Sequence, residues 1–285
     1  MLYFMKIAHQ AICIKYNTVM KRKLGQLESQ LLAFAHMRKT RTLRIGDLRG
    51  PLRLSAKQER ELFSRMARAK LIARIRPGLY VIPPRLPLGM AWTPREAEAL
   101  NALMKDAGGR YQICGPNAFN LYGFDEQVPI RVYAYNNRIS GERKIGAVEL
   151  TLIKVTDRRL GDTEIVASTD GEEAIYSSRV RSLVDVVYDW SRFNGIPRGY
   201  EWIRRELKTR RITAGELVAS TLRYGDKGTI RRIGALLEGE GVEEKLLRKL
   251  EREIRRTSGP IPLNPRKPKR GPVNQRWGVV MNERM

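Results

Sequence analysis

Histidine and cysteine are scarce in this chain. Its 285 residues contain 2 of each: His9 and His36, Cys13 and Cys114. Two thiols so distant in sequence form neither a disulfide framework nor a metal set, and a reducing cytoplasm suits them. Of the histidines, one lies near the start and one closes the first predicted helix, so no histidine-based triad or metal site is on offer. Long apolar runs are missing too, and none approaches the roughly 18–20 residues that a spanning helix needs. There is no phosphate-binding loop ending in Gly-Lys-Ser/Thr and no dinucleotide-binding glycine pattern. These absences predict a cytoplasmic chain with no catalytic set, no metal, no cofactor and no membrane partner. Residues 1–19 resemble a signal peptide only at first sight. Lys6 precedes an apolar-leaning stretch, but His9, Gln10 and Lys15 interrupt it and no small-residue cleavage site follows. A poorly ordered leader over 1–20, or a start upstream of the true one at Met20, is expected, with Lys21-Arg22-Lys23 opening the folded part.

Acidic residues are outnumbered. Lys and Arg total 54 against 30 Asp and Glu, a net charge of +24. The excess is segregated. Residues 1–90 hold 19 Lys/Arg against 4 Asp/Glu, residues 91–195 hold 13 against 15, and residues 196–285 hold 22 against 11. Two basic ends around a near-neutral middle point to a polyanionic partner, nucleic acid before an anionic membrane.

The most informative stretch is 55–84. Ser55 is a good N-cap, and Leu62, Met66 and Ala69 recur on one helical face. Leu71 to Ile75 then alternates, Pro77-Gly78 turns the chain, and Leu79 to Ile82 returns it. A cationic helix running into a cationic hairpin is the plan of a recognition helix and wing, which names double-stranded DNA as ligand. Lys57, Gln58 and Arg60 occupy the first turns, where a helix in the major groove meets base edges. Arg65 and Arg68 lie where phosphates would be. Arg74 and Arg76 flank the wing tip. Ahead of this helix, Leu24, Leu27, Leu31 and Phe34 predict a first helix over 24–37, and 45–49 reads as a short second helix, capped or tightened near Thr42 and broken by Gly50-Pro51.

Pro83-Pro84, Pro87 and Gly89 read as a linker into a second domain over 91–195. There Thr93, Pro94 and Glu96 predict a capped helix to about Lys105. Strands are expected at 111–114, 130–136, 148–155, 164–167 and 174–177, with 137–146 as a hairpin loop. A short helix is expected at 116–122 and a longer one at 180–193. Asp185 and Asp189 share one face of that longer helix, and a salt-bridge or capping role is expected for them. Asp170, Glu172 and Glu173 read as a surface loop. Helices marked by Trp202/Ile203/Leu207, Thr213–Tyr224, Ile230–Leu237 and Leu246–Ile254 predict a bundle over 196–258. A basic Pro-rich tail, 259–285, follows, with Pro260 to Pro272 as an extended arm and Trp277–Met281 docking back as a strand. Arg231, Arg232, Arg266, Lys267, Lys269 and Arg270 are candidate phosphate contacts. The fold class expected is α+β: an N-terminal winged helix-turn-helix over 21–84, then a mixed α/β sheet domain with a C-terminal helical bundle and basic tail.

Five segments in order carry a family resemblance: RPGLYVIPP (76–84), CGPNAFNLYGF (114–124), SRVRSLVDVVYD (178–189), RYGDKGTIRRIGALLE (223–238) and RGPVNQRWGVVMN (270–282). Together the chain resembles the AbiEi family of antitoxins and autorepressors from type IV toxin–antitoxin operons. The resemblance implies binding to inverted repeats in its own promoter, two copies per operator, and a counteracting effect on a co-encoded nucleotidyltransferase-type toxin, with or without a stable complex. It transfers no catalytic residue. An enzyme or accessory subunit acting on nucleic acid, anchored by the winged module, stays open as the alternative, as does a DNA coater without sequence preference.

Overall fold

The computed structural model describes residues 24–85, 91–167, 172–254 and 259–283. The expected leader, Lys21-Arg22-Lys23, Pro87, Gly89 and Asp170 lie outside the described residues. The chain is an α+β protein and divides into two compact units, 1–94 with 145–147, and 95–144 with 148–285. No helix among the described residues is long and apolar enough to cross a membrane.

The first unit runs α1 (Gln26–Met37), β1 (Thr42–Arg44), α2 (Ala56–Arg68), β2 (Ala73–Arg76) and β3 (Leu79–Val81). The strands form an antiparallel sheet in the order β1-β3-β2. Gly78, at φ 81°, makes the left-handed step that the Pro77-Gly78 turn requires. Leu31, Leu32 and Ala35 of α1 meet Leu62, Phe63 and Met66 of α2 in the core, where the Phe63 ring stacks on Tyr80 at 4.7 Å. Two expectations fail here. Residues 45–49 form turns rather than a helix, and Thr42 belongs to strand β1. Glu59 supplies the reason. Its buried carboxylate accepts the Gly46 N–H at 2.8 and 2.9 Å, the Leu48 N–H at 3.0 Å and Arg49 Nε at 3.2 Å. Those donors would otherwise stand unmet in a loop too short to close helical bonds.

In the second unit, α3 (Glu96–Ala107) begins two residues later than the Thr93 cap predicts. Arg95 is its N-cap, and its N–H donates to Glu98 Oε2 at 2.9 Å. Six strands follow, β4 (Tyr111–Ile113), β5 (Val132–Asn136), β6 (Gly141–Ile145), β7 (Val148–Lys154), β8 (Thr163–Ala167) and β9 (Glu173–Ser177), with α4 (Pro116–Leu121) after β4. The sheet order is β6-β7-β5-β4-β9-β8. β5 and β7 are parallel, in register from Val132↔Leu150 to Asn136↔Lys154. Residues 137–146 are therefore not the loop of a hairpin between them; they carry β6, which pairs on the far side of β7.

Helices α5 (Arg179–Tyr188), α6 (Trp190–Phe193), α7 (Arg198–Lys208), α8 (Ala214–Tyr224), α9 (Lys227–Gly239) and α10 (Glu244–Ile254) come next. The helix expected over 180–193 breaks at Asp189 into α5 and α6. Thr213 and Glu216 form the expected capping box: Thr213 Oγ1 accepts the Glu216 N–H at 3.2 Å, and Glu216 Oε2 accepts the Thr213 N–H at 2.7 Å. One apolar core runs from Cys114 and Phe119 through α5 and α7–α10 to Leu263, Trp277 and Val279. The expected divisions at 195/196 and 258/259 are thus not boundaries between separate cores.

The segment expected as an extended basic arm is folded. β10 (Ile261–Pro262), β11 (Val273–Asn274) and β12 (Val279–Val280) make a small sheet with β12 in the middle. Trp277, 1% exposed, lies on α9 where Gly234 leaves room; a Cβ there would overlap the indole. Docking of the terminal strand is as expected.

Candidate nucleic-acid interface

One face of α2 is anchored in the first unit and the opposite face is in solvent. Glu59, Leu62, Phe63 and Met66 are buried, and Lys57, Arg60, Glu61, Ser64 and Arg68 are exposed. At 100° per residue these exposed side chains share one stripe, with Gln58 and Arg65 at its edge. Lys57, Arg60, Arg68 and Arg74 make no ion pair among the described residues. A cation left without a carboxylate in a chain that forms many such pairs keeps its full field for an outside anion.

The edge residues have other work. Gln58 Oε1 accepts the Ser55 N–H at 2.9 Å while Ser55 Oγ accepts the Gln58 N–H at 3.3 Å, so the glutamine closes a capping box. Base reading by Gln58 would have to release that bond. Arg65 Nε donates to Glu28 Oε1 of α1 at 3.1 Å, which makes it a brace between two helices as well as a candidate phosphate contact. On the hairpin, Arg74 and Arg76 are exposed beside the bulge between them, and Arg76 Nη1 donates to the Pro77 carbonyl at 3.1 Å. His36 accounts for itself structurally: its Nε2 lies 3.0 Å from the Pro83 carbonyl and must carry the proton there.

The candidate phosphate contacts of the C-terminal third divide sharply. Arg231 and Arg232 are buried, at 4% and 9% exposure, and their expected role as phosphate contacts is corrected by what they touch. Arg231 Nε donates to the Trp277 carbonyl at 2.7 Å, and its Nη2 donates to the Gly259 carbonyl at 2.7 Å and to that of Gly278. Arg232 Nε donates to the Pro262 carbonyl at 3.2 Å. These guanidiniums clasp the terminal sheet to α9. Burial pushes the ionisation of both below the ordinary arginine value. Lys267 is exposed but pairs with Glu283 at 2.8 Å. Arg266, Lys269 and Arg270 are exposed without an ion pair among the described residues.

The middle of the second unit holds a buried charge network that no family of simple motifs would announce. Asp185 Oδ1 accepts from Arg181 Nε at 2.8 Å and Arg159 Nη2 at 3.1 Å. Burial works against the Arg181 charge; Asp185 more than offsets it, and the guanidinium is held above its ordinary value. Asp189 Oδ2 accepts the Tyr135 hydroxyl at 2.5 Å. Burial raises the Asp189 carboxyl, with that hydroxyl pulling the other way. Of the salt-bridge or capping role expected of the two aspartates, the structure gives Asp185 the salt bridge; Asp189 holds the Tyr135 hydroxyl and meets Arg192 Nε only at 3.9 Å. Glu172 and Glu173 stand at the start of β9, Glu173 exposed. No group of three or more metal-ligating side chains occurs among the described residues.

No family model matches the chain, and no curated protein matches it. Among solved structures, the crystal structure of the RV2827C protein from Mycobacterium tuberculosis is similar. Its TM-score is 0.55 at 14% sequence identity, over 90% of this chain and 92% of that one. At that identity the likeness concerns the fold alone.

Proposed function

We propose that the chain is a DNA-binding antitoxin that represses its own operon. In this reading residues 21–84 act as a winged helix: α2 enters the major groove and the β2–β3 hairpin is the wing. The observation that carries it is the solvent stripe of α2, where Lys57, Arg60 and Arg68 have no ion pair among the described residues and the opposite face is fixed in the core. A rigid, one-sided cationic helix of 13 residues suits a groove better than a flexible basic tail does. Arg60 and Lys57 read bases, Arg68, Arg65, Arg74 and Arg76 hold phosphates, and Gln58 contributes only if its capping bond is exchanged. Arg266, Lys269 and Arg270 are further phosphate contacts. Two copies on one inverted repeat follow from operator symmetry. The antitoxin half, directed at a nucleotidyltransferase-type toxin, rests on the ordered resemblance of the five segments.

The test is a binding titration with the DNA upstream of its own gene against random duplex at physiological salt. Preference for the upstream DNA supports repression, with a log–log salt slope near about −5 for roughly six phosphate contacts. Equal affinity for both sinks it. Co-expression with the neighbouring gene tests the other half: restored growth supports the antitoxin reading, and absence of rescue removes it.

A further inference from the structure

The second unit contains a cleft of about 890 Å³ between the end of β7 with the turn that follows it and the α8–α9 junction. Lys154, Arg158, Arg159, Tyr188, Arg223 and Tyr224 are among its lining residues. Its acids are already engaged. Asp157 Oδ1 accepts from Arg110 Nη2 at 3.1 Å and Asn137 Nδ2 at 2.8 Å. Asp226 Oδ1 caps α9, accepting from the Thr229 N–H at 2.7 Å and its hydroxyl at 2.6 Å.

The cations are not so engaged. Lys154 and Arg158 are exposed and make no ion pair among the described residues. Arg223 Nε donates only to the Tyr224 hydroxyl, at 3.1 Å. Arg159 lies flat on the Tyr188 ring at 3.8 Å with Nη2 on Asp185, while its buried Nε and Nη1 have no partner. Buried guanidinium donors without acceptors are costly and uncommon. The cleft thus carries exposed cations on two separate elements, Lys154 and Arg158 on one and Arg223 on the other, around one concave space of ligand size.

We propose that this cleft binds a polyphosphate chain, free or as the tail of a nucleoside triphosphate. Donors spread over two walls match an anion with several oxygens along its length better than a single carboxylate. The concavity fits a slender chain, where a duplex would need a convex or flat face. This site is separate from the α2 stripe and does not depend on it.

Calorimetric titration of the full chain with inorganic tripolyphosphate, and with ATP, GTP, CTP and UTP in turn, tests the proposal. Saturable binding is expected, weakened about tenfold or more in Lys154→Ala/Arg158→Ala and in Arg223→Ala, since each removes a charge-assisted bond to the anion. Lys57→Ala/Arg60→Ala, which removes cations of the other unit, should bind as the parent does. A nucleotide bound more tightly than tripolyphosphate assigns the site to nucleotides; equal affinity assigns it to the polyphosphate alone. No saturable binding of any of the five ligands overturns the proposal. So does parental affinity in Lys154→Ala/Arg158→Ala, or loss of binding in Lys57→Ala/Arg60→Ala.

Discussion

The two basic ends of this chain use arginine in opposite ways. In the first unit Arg60, Arg68 and Arg74 stand in solvent without an ion pair among the described residues. At the C-terminal end, Arg231 and Arg232 are buried and Arg276 is gathered by Glu238, Glu244 and Glu251 at 2.8–3.2 Å. Net charge is similar in kind at both ends, so it cannot by itself mark a binding surface. What separates them is the supply of acceptors. The first 90 residues contain only four acids, and three of those, Glu28, Asp47 and Glu59, are consumed by backbone and brace contacts. The C-terminal third has eleven acids and a terminal segment whose carbonyls face α9.

If that contrast holds, the two sets of cations should fail differently when removed. The largest effect is expected at Asp185→Asn. Both partners of the Arg181–Asp185 pair have fully buried side chains, and neutralising the carboxylate strands Arg181 and Arg159. Breaking such a pair from one side costs about 3–5 kcal/mol. Chemical denaturation of the variant measures it, and an unchanged midpoint would show that the network is solvated in solution. Next comes Gly234→Ala, where a methyl group would enter the space of the Trp277 ring. Overpacking of this sort costs about 1–3 kcal/mol. Proteolysis should then release the segment after residue 258 before the rest of the unit unfolds, with indole fluorescence shifting to the red. Protection equal to the parent's would mean the terminal sheet is held without that fit.

How much of this was legible beforehand depends on the range of the contact that decides each element. α2 was readable because its cap, its apolar period and its end all lie within one short window. The capping box at Thr213 was readable for the same reason. β1 was not: Thr42-Leu43-Arg44 is three residues long and becomes a strand only by pairing with β3. Residues 45–49 looked helical until Glu59, on another helix, claimed their N–H groups. Alternation identified β5 and β7 but carries no sign for strand direction, so the parallel pairing was read as a hairpin. Arg231 follows the same rule at the longest range. Its acceptors lie 46 and 47 residues downstream and 28 residues downstream at Gly259, beyond any local pattern. For the candidate interface, the face of α2 was legible; the diversion of Gln58 into capping and of Arg65 into a brace was not.

The first unit should show the reverse phenotype. Arg60→Ala should leave the melting temperature unchanged, since the exposed side chain makes no ion pair among the described residues. It should cost about 1–3 kcal/mol of operator affinity if the guanidinium meets a base edge, and the loss should be confined to the cognate sequence. Glu28→Gln sharpens the point. It frees Arg65 from its brace, so binding to any duplex should hold steady or rise while stability falls. Loss of affinity in Glu28→Gln would mean that the brace, rather than the charge, is what presents Arg65.

The smallest effect is expected where the contrast is least clean, at Arg266, Lys269 and Arg270. They sit on the folded terminal segment yet have no ion pair among the described residues, so they resemble the first unit in exposure and the second in location. Phosphate contact by one of them predicts that Arg266→Ala weakens binding to every duplex alike and shallows the log–log salt slope by about 0.9. Stability should not move, because among the described residues that exposed side chain holds no backbone carbonyl. A slope that stays fixed through Arg266→Ala, Lys269→Ala and Arg270→Ala would place the entire DNA footprint on the first unit. The positive charge of the terminal segment would then take no part in holding a duplex, although Arg266 and Arg270 stand as exposed as Arg60 does.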